Sequence, residues 1–392
     1  MSASGTGAPA PDGRGVERPA DGAAGLGDVL PSVTAALGVP LRGPARLELP
    51  AARSAVVVLV DGLGERLLDR RGGHAPFLRS VRAGSGYAAA VGCGFPSTTA
   101  TSMGTFGTAR PAGSHGLVGM NVLAPALDTV FSELAWDPRV DPLAWQPTST
   151  VFEEAVAAGL PVVMIAPHWF DGSGLTRAAL RGGRFVAART LEERVDAALA
   201  ALAGHPRVLV YLYWGEVDKV GHVHGCDSWQ WGQEVEHVDG ELARLTRSAR
   251  RDVLVVVTAD HGMVDVPHAD RVDLVDEPEL TRGVRHVGGE ARALHLYCAP
   301  GEAEGVASTW RARFGADVEV VSRDDAVDRG WFGAVADHVR PRIGDLLAVA
   351  RGRTAIVDSS TARPELLRLV GQHGARTPEE VLVPVLAVPG RR

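Results

Sequence analysis

Three stretches decide the architecture of this chain: Val56–Val60 (VVVLV) running into Asp61-Gly62-Leu63-Gly64, Val208–Tyr213 (VLVYLY) ahead of Glu216 and Asp218, and Val253–Val257 (VLVVV) running into Thr258-Ala259-Asp260-His261-Gly262. Near-continuous apolar, β-branched runs with no polar alternation suit strands covered on both faces, as in a parallel sheet. Helical patterns separate them. Within Ser228–Arg250, Val235, Val238, Leu242 and Leu245 recur at three- and four-residue spacing and form one apolar face. Arg189–Leu202 is rich in alanine, a strong helix former. Further strands are predicted at Pro161–Ala166, Arg292–Cys298, Asp345–Ala350 and Val381–Val388. The alternation predicts an α/β fold, with a mostly parallel central sheet and helices on both faces.

Each of the three strong runs ends in polar residues of one kind. Asp61 follows the first, Asp218 and His222 the second, Asp260 and His261 the third. One aspartate after a strand is ordinarily a turn or cap residue. Ligands of open α/β sheets, however, bind outside the carboxyl ends of the strands, and three such ends should meet at one edge. Carboxylates and imidazoles without thiolates suit Zn²⁺, Mn²⁺ or iron better than Ca²⁺ alone. Asp218 and His222 are four apart, so one helical turn presents both to the same ion. Asp260 and His261 are adjacent and need an irregular turn, which Gly262 permits. The donors exceed what one open ion uses, which points to two divalent ions, Zn²⁺ first and Mn²⁺ second. Two ions about 4 Å apart clamp the attacking and leaving oxygens of an in-line displacement at phosphorus.

A nucleophile would come from Phe95-Pro96-Ser97-Thr98-Thr99-Ala100-Thr101-Ser102-Met103-Gly104. Alone, such a run is a helix N-cap region. Beside two metal ions, one of its hydroxyls becomes an alkoxide nucleophile, and the helix start behind it offers amides to a phosphoryl oxygen. The residues themselves do not choose among Ser97, Thr98, Thr99, Thr101 and Ser102.

Composition narrows the classes of function. The 392 residues are 45% hydrophobic and 22% charged, and 40 Lys+Arg against 47 Asp+Glu leave a net charge of −7. There is no basic field for a nucleic-acid polymer or an acidic membrane. No apolar run approaches the roughly 18–20 residues of a membrane span. Cys93, Cys226 and Cys298 are odd in number and form no CxxC pair, which fits small buried hydrophobes rather than a disulfide framework. Residues 1–27, rich in Gly, Ala and Pro and lacking a secretory apolar stretch, read as a disordered leader, and the location as cytoplasmic. The rest, 28–392, reads as one catalytic domain.

With the motifs VDGLG, FPSTTATSMGTFGTARPAGSHG, DKVGH, TADHG and GQHG in this order, the chain from about Ala55 onward resembles the alkaline phosphatase superfamily. Within it the chain is most similar to the nucleotide pyrophosphatase/phosphodiesterase branch. The resemblance implies an alkaline phosphatase-like fold with inserted caps, here 122–150 and 264–370. It implies a threonine nucleophile, which falls on Thr99 when Phe95-Pro96 and His115-Gly116 are aligned without a gap. One zinc would take Asp61, Thr99, Asp260 and His261; the other would take Asp218, His222 and a late histidine, for which GQHG points to His373 over His286 and His295. An asparagine that binds a phosphoryl oxygen would be Asn121, one residue later than the pattern, with Met120 at the aligned position. His115 reads as packing behind the helix, and His224 and His268 as bystanders. Lys219, the chain's single lysine, is either a solvated side chain or a cation facing phosphate. Trp136, Trp145, Trp169 and Trp331 could stack on a base or pack in the core. The implied activity is a metal-dependent phosphodiesterase or nucleotide pyrophosphatase working through a phosphothreonine on a small, nucleotide-like phosphate ester. A phosphomonoesterase is the alternative and would call for an added cation; a nucleotide-binding module with structural metals is the non-enzymatic one. A sulfatase would need Cys/Ser-x-Pro-x-Arg, which Cys93-Gly94-Phe95-Pro96 does not match.

Overall fold

β1 (Ser54–Val60) is buried along its whole length and lies at the heart of a seven-stranded sheet. It pairs in parallel with β7 (Leu209–Trp214), Val57 opposite Tyr211, and with β8 (Val253–Thr258), Val57 opposite Val256. β5 (Val162–Ala166) and β6 (Arg184–Ala187) extend the parallel array beyond β7. On the other side β17 (Leu382–Pro389) runs antiparallel to both β8 and β2 (Tyr87–Gly92), giving the order β2-β17-β8-β1-β7-β5-β6. The computed structural model describes residues 24–42 and 45–391.

Helices cover both faces. Tyr211 and Trp214 are three apart on β7 and so point to opposite sides of the sheet. Tyr211 meets Phe106 of the Thr99–Thr108 helix at 5.6 Å between ring centroids, while Trp214 lies under Arg194 of the Leu191–Gly204 helix at 4.7 Å. The predicted helix over 228–250 is observed at Trp229–Ser248, its apolar stripe of Val235, Val238, Leu242 and Leu245 buried.

Two of the predicted strands join a different sheet. β11 (Val284–Glu290), β12 (Ala293–Cys298), β14 (Leu346–Ala350) and β13 (Val318–Ser322) form a four-stranded antiparallel sheet in that order. It has its own core, in which Trp310 and Phe314 of the Ala303–Phe314 helix pack with Leu294, Leu296 and Ala348. Both β12 and β14 are buried throughout and nearly all apolar, with His295 the exception, so their pattern carries no sign of which sheet they join. The hairpin β3 (Asn121–Ala124) and β4 (Thr129–Ser132) occupies the start of the 122–150 segment. Two short ribbons pair β9 (Val264–Asp265) with β16 (Gly371–Gln372) and β10 (Arg271–Asp273) with β15 (Ala355–Val357). Of the leader expected over 1–27, residues 1–23 lie outside the described residues. Its last four enter the fold, with Gly25 bridging Gly92 and Leu26 fully buried.

Candidate metal centre and nucleophile

The carboxyl ends of β1, β7 and β8 converge because glycines let them. Gly62 has φ +73°, and a Cβ there would come within 2.9 Å of the Cα and Cβ of Asp218. A Cβ on Gly64 would come 2.5 Å from the Cα of Gly262. The glycines of VDGLG and DHG are therefore the spacing that brings the three ends together.

Asp61, Asp218 and Asp260 meet there with His222, His261 and His373. His261 Nε2 lies 3.4 Å from Asp61 Oδ1 and 3.6 Å from Asp260 Oδ2. His222 Nε2 lies 3.4 Å from Asp218 Oδ2, and His373 Nε2 lies 3.9 Å from Asp218 Oδ1. The His261 and His373 rings stack at 3.7 Å. Donor atoms of Asp218, His222 and His373 fall within 4.8 Å of one another, and so do those of Asp61, Asp218 and His261. Asp218 thus stands in both groups, a central position that chain order did not reveal.

Two features fit metal ions. The first is orphaned oxygen. Asp260 Oδ1 accepts the amides of Gly62 and His261, and Asp61 Oδ2 accepts the Tyr213 hydroxyl at 2.5 Å, yet Asp61 Oδ1, Asp218 Oδ1 and Asp260 Oδ2 are buried without a partner. Buried carboxylate oxygens are ordinarily hydrogen-bonded. The second is the tautomer of the imidazoles. Nδ1 of His222 faces the carbonyl of Gly371 at 2.7 Å, Nδ1 of His261 that of Gly262 at 3.1 Å, and Nδ1 of His373 that of Ser97 at 2.9 Å. A carbonyl only accepts, so each Nδ1 carries the proton and each Nε2 turns a lone pair to the cluster. Burial, followed by the nearby Asp260, pushes the Asp61 carboxyl up to about 8. Burial raises Asp218 well above the carboxylate range and Asp260 to about 6, and it lowers His261 and His373. Burial and mutual repulsion thus oppose ionisation of these acids, which a nearby cation would favour.

Thr99 opens the Thr99–Thr108 helix, and its Oγ1 lies 3.3 Å from His261 Nε2. Ser97, Thr98, Thr101 and Ser102 are fully buried, whereas Thr99 keeps access to solvent. The Ser97 hydroxyl is committed elsewhere: it donates to the Ala375 carbonyl at 2.7 Å and accepts the Gly374 amide at 3.1 Å.

The remaining candidates make contacts with other residues. Asn121 donates to the Gly289 carbonyl at 3.0 Å, joining β3 to β11. Lys219 is 69% exposed and pairs with Glu216 at 3.0 Å, on a part of the Glu216–His224 helix directed to solvent. His115 is buried between Thr105 and the Leu117 amide, and His295 accepts the Gly344 amide. His286 pairs with Asp128, and His224 meets Gln230. Trp145 and Trp331 are buried and Trp136 is half-buried, whereas Trp169 is 61% exposed. Trp169 packs edge-on against Phe170, which lies 5.3 Å from the Tyr213 ring beside Asp61. Tyr213 was not singled out from sequence; its signal is a phenol near the carboxyl end of an otherwise apolar buried strand.

The family model described as type I phosphodiesterase / nucleotide pyrophosphatase matches residues 55–376. Human ectonucleotide pyrophosphatase/phosphodiesterase family member 7 is 33% identical over 94 residues, 22% of this chain and 20% of that protein. The chain thus aligns with about a fifth of that relative's length. Murine ectonucleotide pyrophosphatase/phosphodiesterase 5, solved as an inactive threonine-to-alanine variant with AMP, superposes with a TM-score of 0.70 at 19% identity, covering 86% of this chain and 88% of that one. Phosphonoacetate hydrolase from Sinorhizobium meliloti 1021, solved with phosphonoacetate, gives 0.67 at 20% identity over 86% and 91%. Both share the fold.

Proposed function

The chain belongs to the type I phosphodiesterase / nucleotide pyrophosphatase family, within the alkaline phosphatase superfamily, and from that premise we propose that it is a two-metal phosphodiesterase working through a phosphothreonine on Thr99. The observation that carries the reading is the Thr99 hydroxyl at the start of a helix, 3.3 Å from His261 and beside three buried carboxylates with orphaned oxygens. Asp61, Thr99, Asp260 and His261 would hold one ion and Asp218, His222 and His373 the other, with Asp218 close enough to both to share. Two divalent ions, zinc by the nitrogen and oxygen donors, would favour the alkoxide of Thr99 and neutralise phosphoryl oxygens.

In this reading Thr99 Oγ attacks phosphorus in line, the bond to the leaving alkoxide breaks, and water then cleaves the phosphothreonine to restore the hydroxyl. The amides at the helix start face the phosphoryl oxygens. His261 Nε2 and Thr99 Oγ1, 3.3 Å apart, would be held together as ligands of the same ion. Asn121, whose amide donates to the Gly289 carbonyl, would have to release that bond to serve a non-bridging oxygen. Lys219 faces solvent and Glu216, so the added cation that a dianionic monoester calls for is not supplied by it. A neutral phenol, Tyr213, occupies the outer oxygen of Asp61. Both observations favour diesters. Trp169, exposed beside Phe170, would stack on an aryl or nucleobase leaving group. The 122–150 and 264–370 segments act as caps on this edge of a single catalytic domain. Three buried, free cysteines support a cytoplasmic setting; among the described residues no helix is long and apolar enough to cross a membrane.

The test is kcat/KM for a bis-aryl phosphate against the matching mono-aryl phosphate, with Thr99→Ala and Lys219→Ala alongside. Diester preference that survives Lys219→Ala and vanishes with Thr99→Ala is expected. Monoester preference that collapses on removing Lys219 would replace this reading by a phosphomonoesterase.

A further inference from the structure

His373 and the start of the nucleophile helix are held from behind by a part of the chain that bears none of the metal motifs. The turn between β11 and β12, Glu290-Ala291-Arg292, drives two charged side chains beneath them. Arg292 and Glu380 are both fully buried. Arg292 Nε and Nη2 donate to Glu380 Oε1 and Oε2 at 2.7 and 2.9 Å, and Nη1 donates to the Thr354 carbonyl at 2.7 Å. Glu380 Oε1 also accepts the Ala375 amide at 3.0 Å, and Oε2 accepts the Thr377 hydroxyl at 2.6 Å. From Ala375 the hydrogen bonds continue. Its carbonyl accepts Ser97 Oγ, Ser97 Oγ accepts the Gly374 amide, and the Ser97 carbonyl accepts His373 Nδ1. Ser97 is two residues before Thr99. On the same turn Glu290 lies directly over Gly374, where a Cβ would come 2.4 Å from the glutamate Cγ.

A buried ion pair adds little stability over apolar side chains of similar volume, because desolvation offsets the attraction. What a two-pronged Arg–carboxylate pair does supply is direction. We propose that Arg292 and Glu380 are positioning residues for the metal centre: through Ala375 and Ser97 they set the orientation of His373 Nε2 and of the helix start that carries Thr99. The second sheet is then docked in register with the site. This rests on reading His373 as a metal ligand.

The full-length protein is stripped of metal and titrated with Co²⁺, whose visible spectrum reports ligand geometry, with Zn²⁺ as competitor. The variants are Arg292→Met/Glu380→Met, Arg292→Lys and Thr377→Val. The double variant should fold with an unchanged circular-dichroism spectrum, bind the ion held by His373 about 10–100-fold more weakly, alter the Co²⁺ spectrum, and lower kcat with KM unchanged. Arg292→Lys keeps the charge without the fork and should fall between wild type and the double variant. Wild-type affinity and spectrum in a folded double variant would overturn the proposal. Should that variant not fold, wild-type affinity in both Arg292→Lys and Thr377→Val would do the same. His373→Ala separates the two levels. If it leaves metal content unchanged, the two-ion reading fails and this inference with it. If it loses one ion while the Arg292 and Glu380 variants bind normally, only the inference fails.

Discussion

Two groups of buried acids lie on either side of the His373 segment, and the fold treats them in opposite ways. Glu380 has every oxygen engaged, by Arg292, Ala375 and Thr377. Asp61, Asp218 and Asp260, no less enclosed, each keep an oxygen with no partner. Burying a charge is costly unless it is paired and hydrogen-bonded. The saturated group is therefore complete as protein, whereas the unsaturated one has the open oxygens that a cation could take. Three open carboxylates gathered with three imidazoles support the reading of a cation site, while an acid one loop away serves the scaffold.

The largest expected effect belongs to the unsaturated side. Thr99→Ala should lower diesterase activity by about 10⁴-fold or more while metal content stays at two ions per chain; near-wild-type turnover, with loss instead in Thr101→Ala, would move the nucleophile. Metal removal comes next. Chelation should lower thermal stability by about 4 kcal/mol for each ion supplied at a thousand times its Kd, and elemental analysis should find one ion fewer in Asp218→Asn and in His373→Ala. A wild-type ratio near one would break the two-site reading.

The contrast itself is tested by reversing the sign of one change. Glu380→Gln leaves Arg292 buried and unpaired and should destabilise by about 3–5 kcal/mol in denaturant titration. In metal-free protein, Asp218→Asn should stabilise, by about 1–3 kcal/mol, because it removes a carboxyl whose ionisation burial penalises more than His222 favours it. Equal signs would erase the distinction. Trp169→Ala should raise KM for an aryl or nucleotide diester about tenfold, without changing metal content.

Glu133 offers an intermediate case and the smallest effect. Trp145 donates to its Oε1 at 2.7 Å, while Oε2 is orphaned. Burial pushes its carboxyl up to about 8, against the opposing pull of Trp145 and Arg342. The folded state then holds a proton that the unfolded chain releases near pH 4. Its contribution to stability is full below that range and is lost as pH rises through about 8. Glu133→Gln should flatten this part of the stability profile, read as denaturant midpoints between pH 5 and 9.

The central strands and the ends of β1, β7 and β8 were legible because both depend on local signals, apolar runs and the residues that stop them. Near-adjacent candidate ligands such as Asp218 and His222 are likewise local. The choice among five hydroxyls was not legible from residue types, since it turns on which one keeps solvent access beside His261. Nor was the membership of β12 and β14, whose apolar pattern is the same in either sheet. Lys219 illustrates a different limit: a position between two ligands in sequence places a side chain a third of a turn away on a helix, here toward Glu216 and water. Tyr213 and Arg292 escaped notice because their partners lie 152 and 88 residues away.

The place of β17 has a consequence for how this enzyme comes into being on the ribosome. β17 fills the gap between β2 and β8, one strand in from the edge, although it follows every other described strand in chain order. His373 precedes it by only nine residues, Leu382 being its first. A nascent chain halted before His373 exposes the edges of β2 and β8 to any neighbouring strand, and it also lacks one of the histidines that face Asp218. Synthesis order thus couples closure of this part of the sheet to completion of the cluster: the segment from His373 to Pro389 brings a histidine to the buried acids and pairs the edges of β2 and β8.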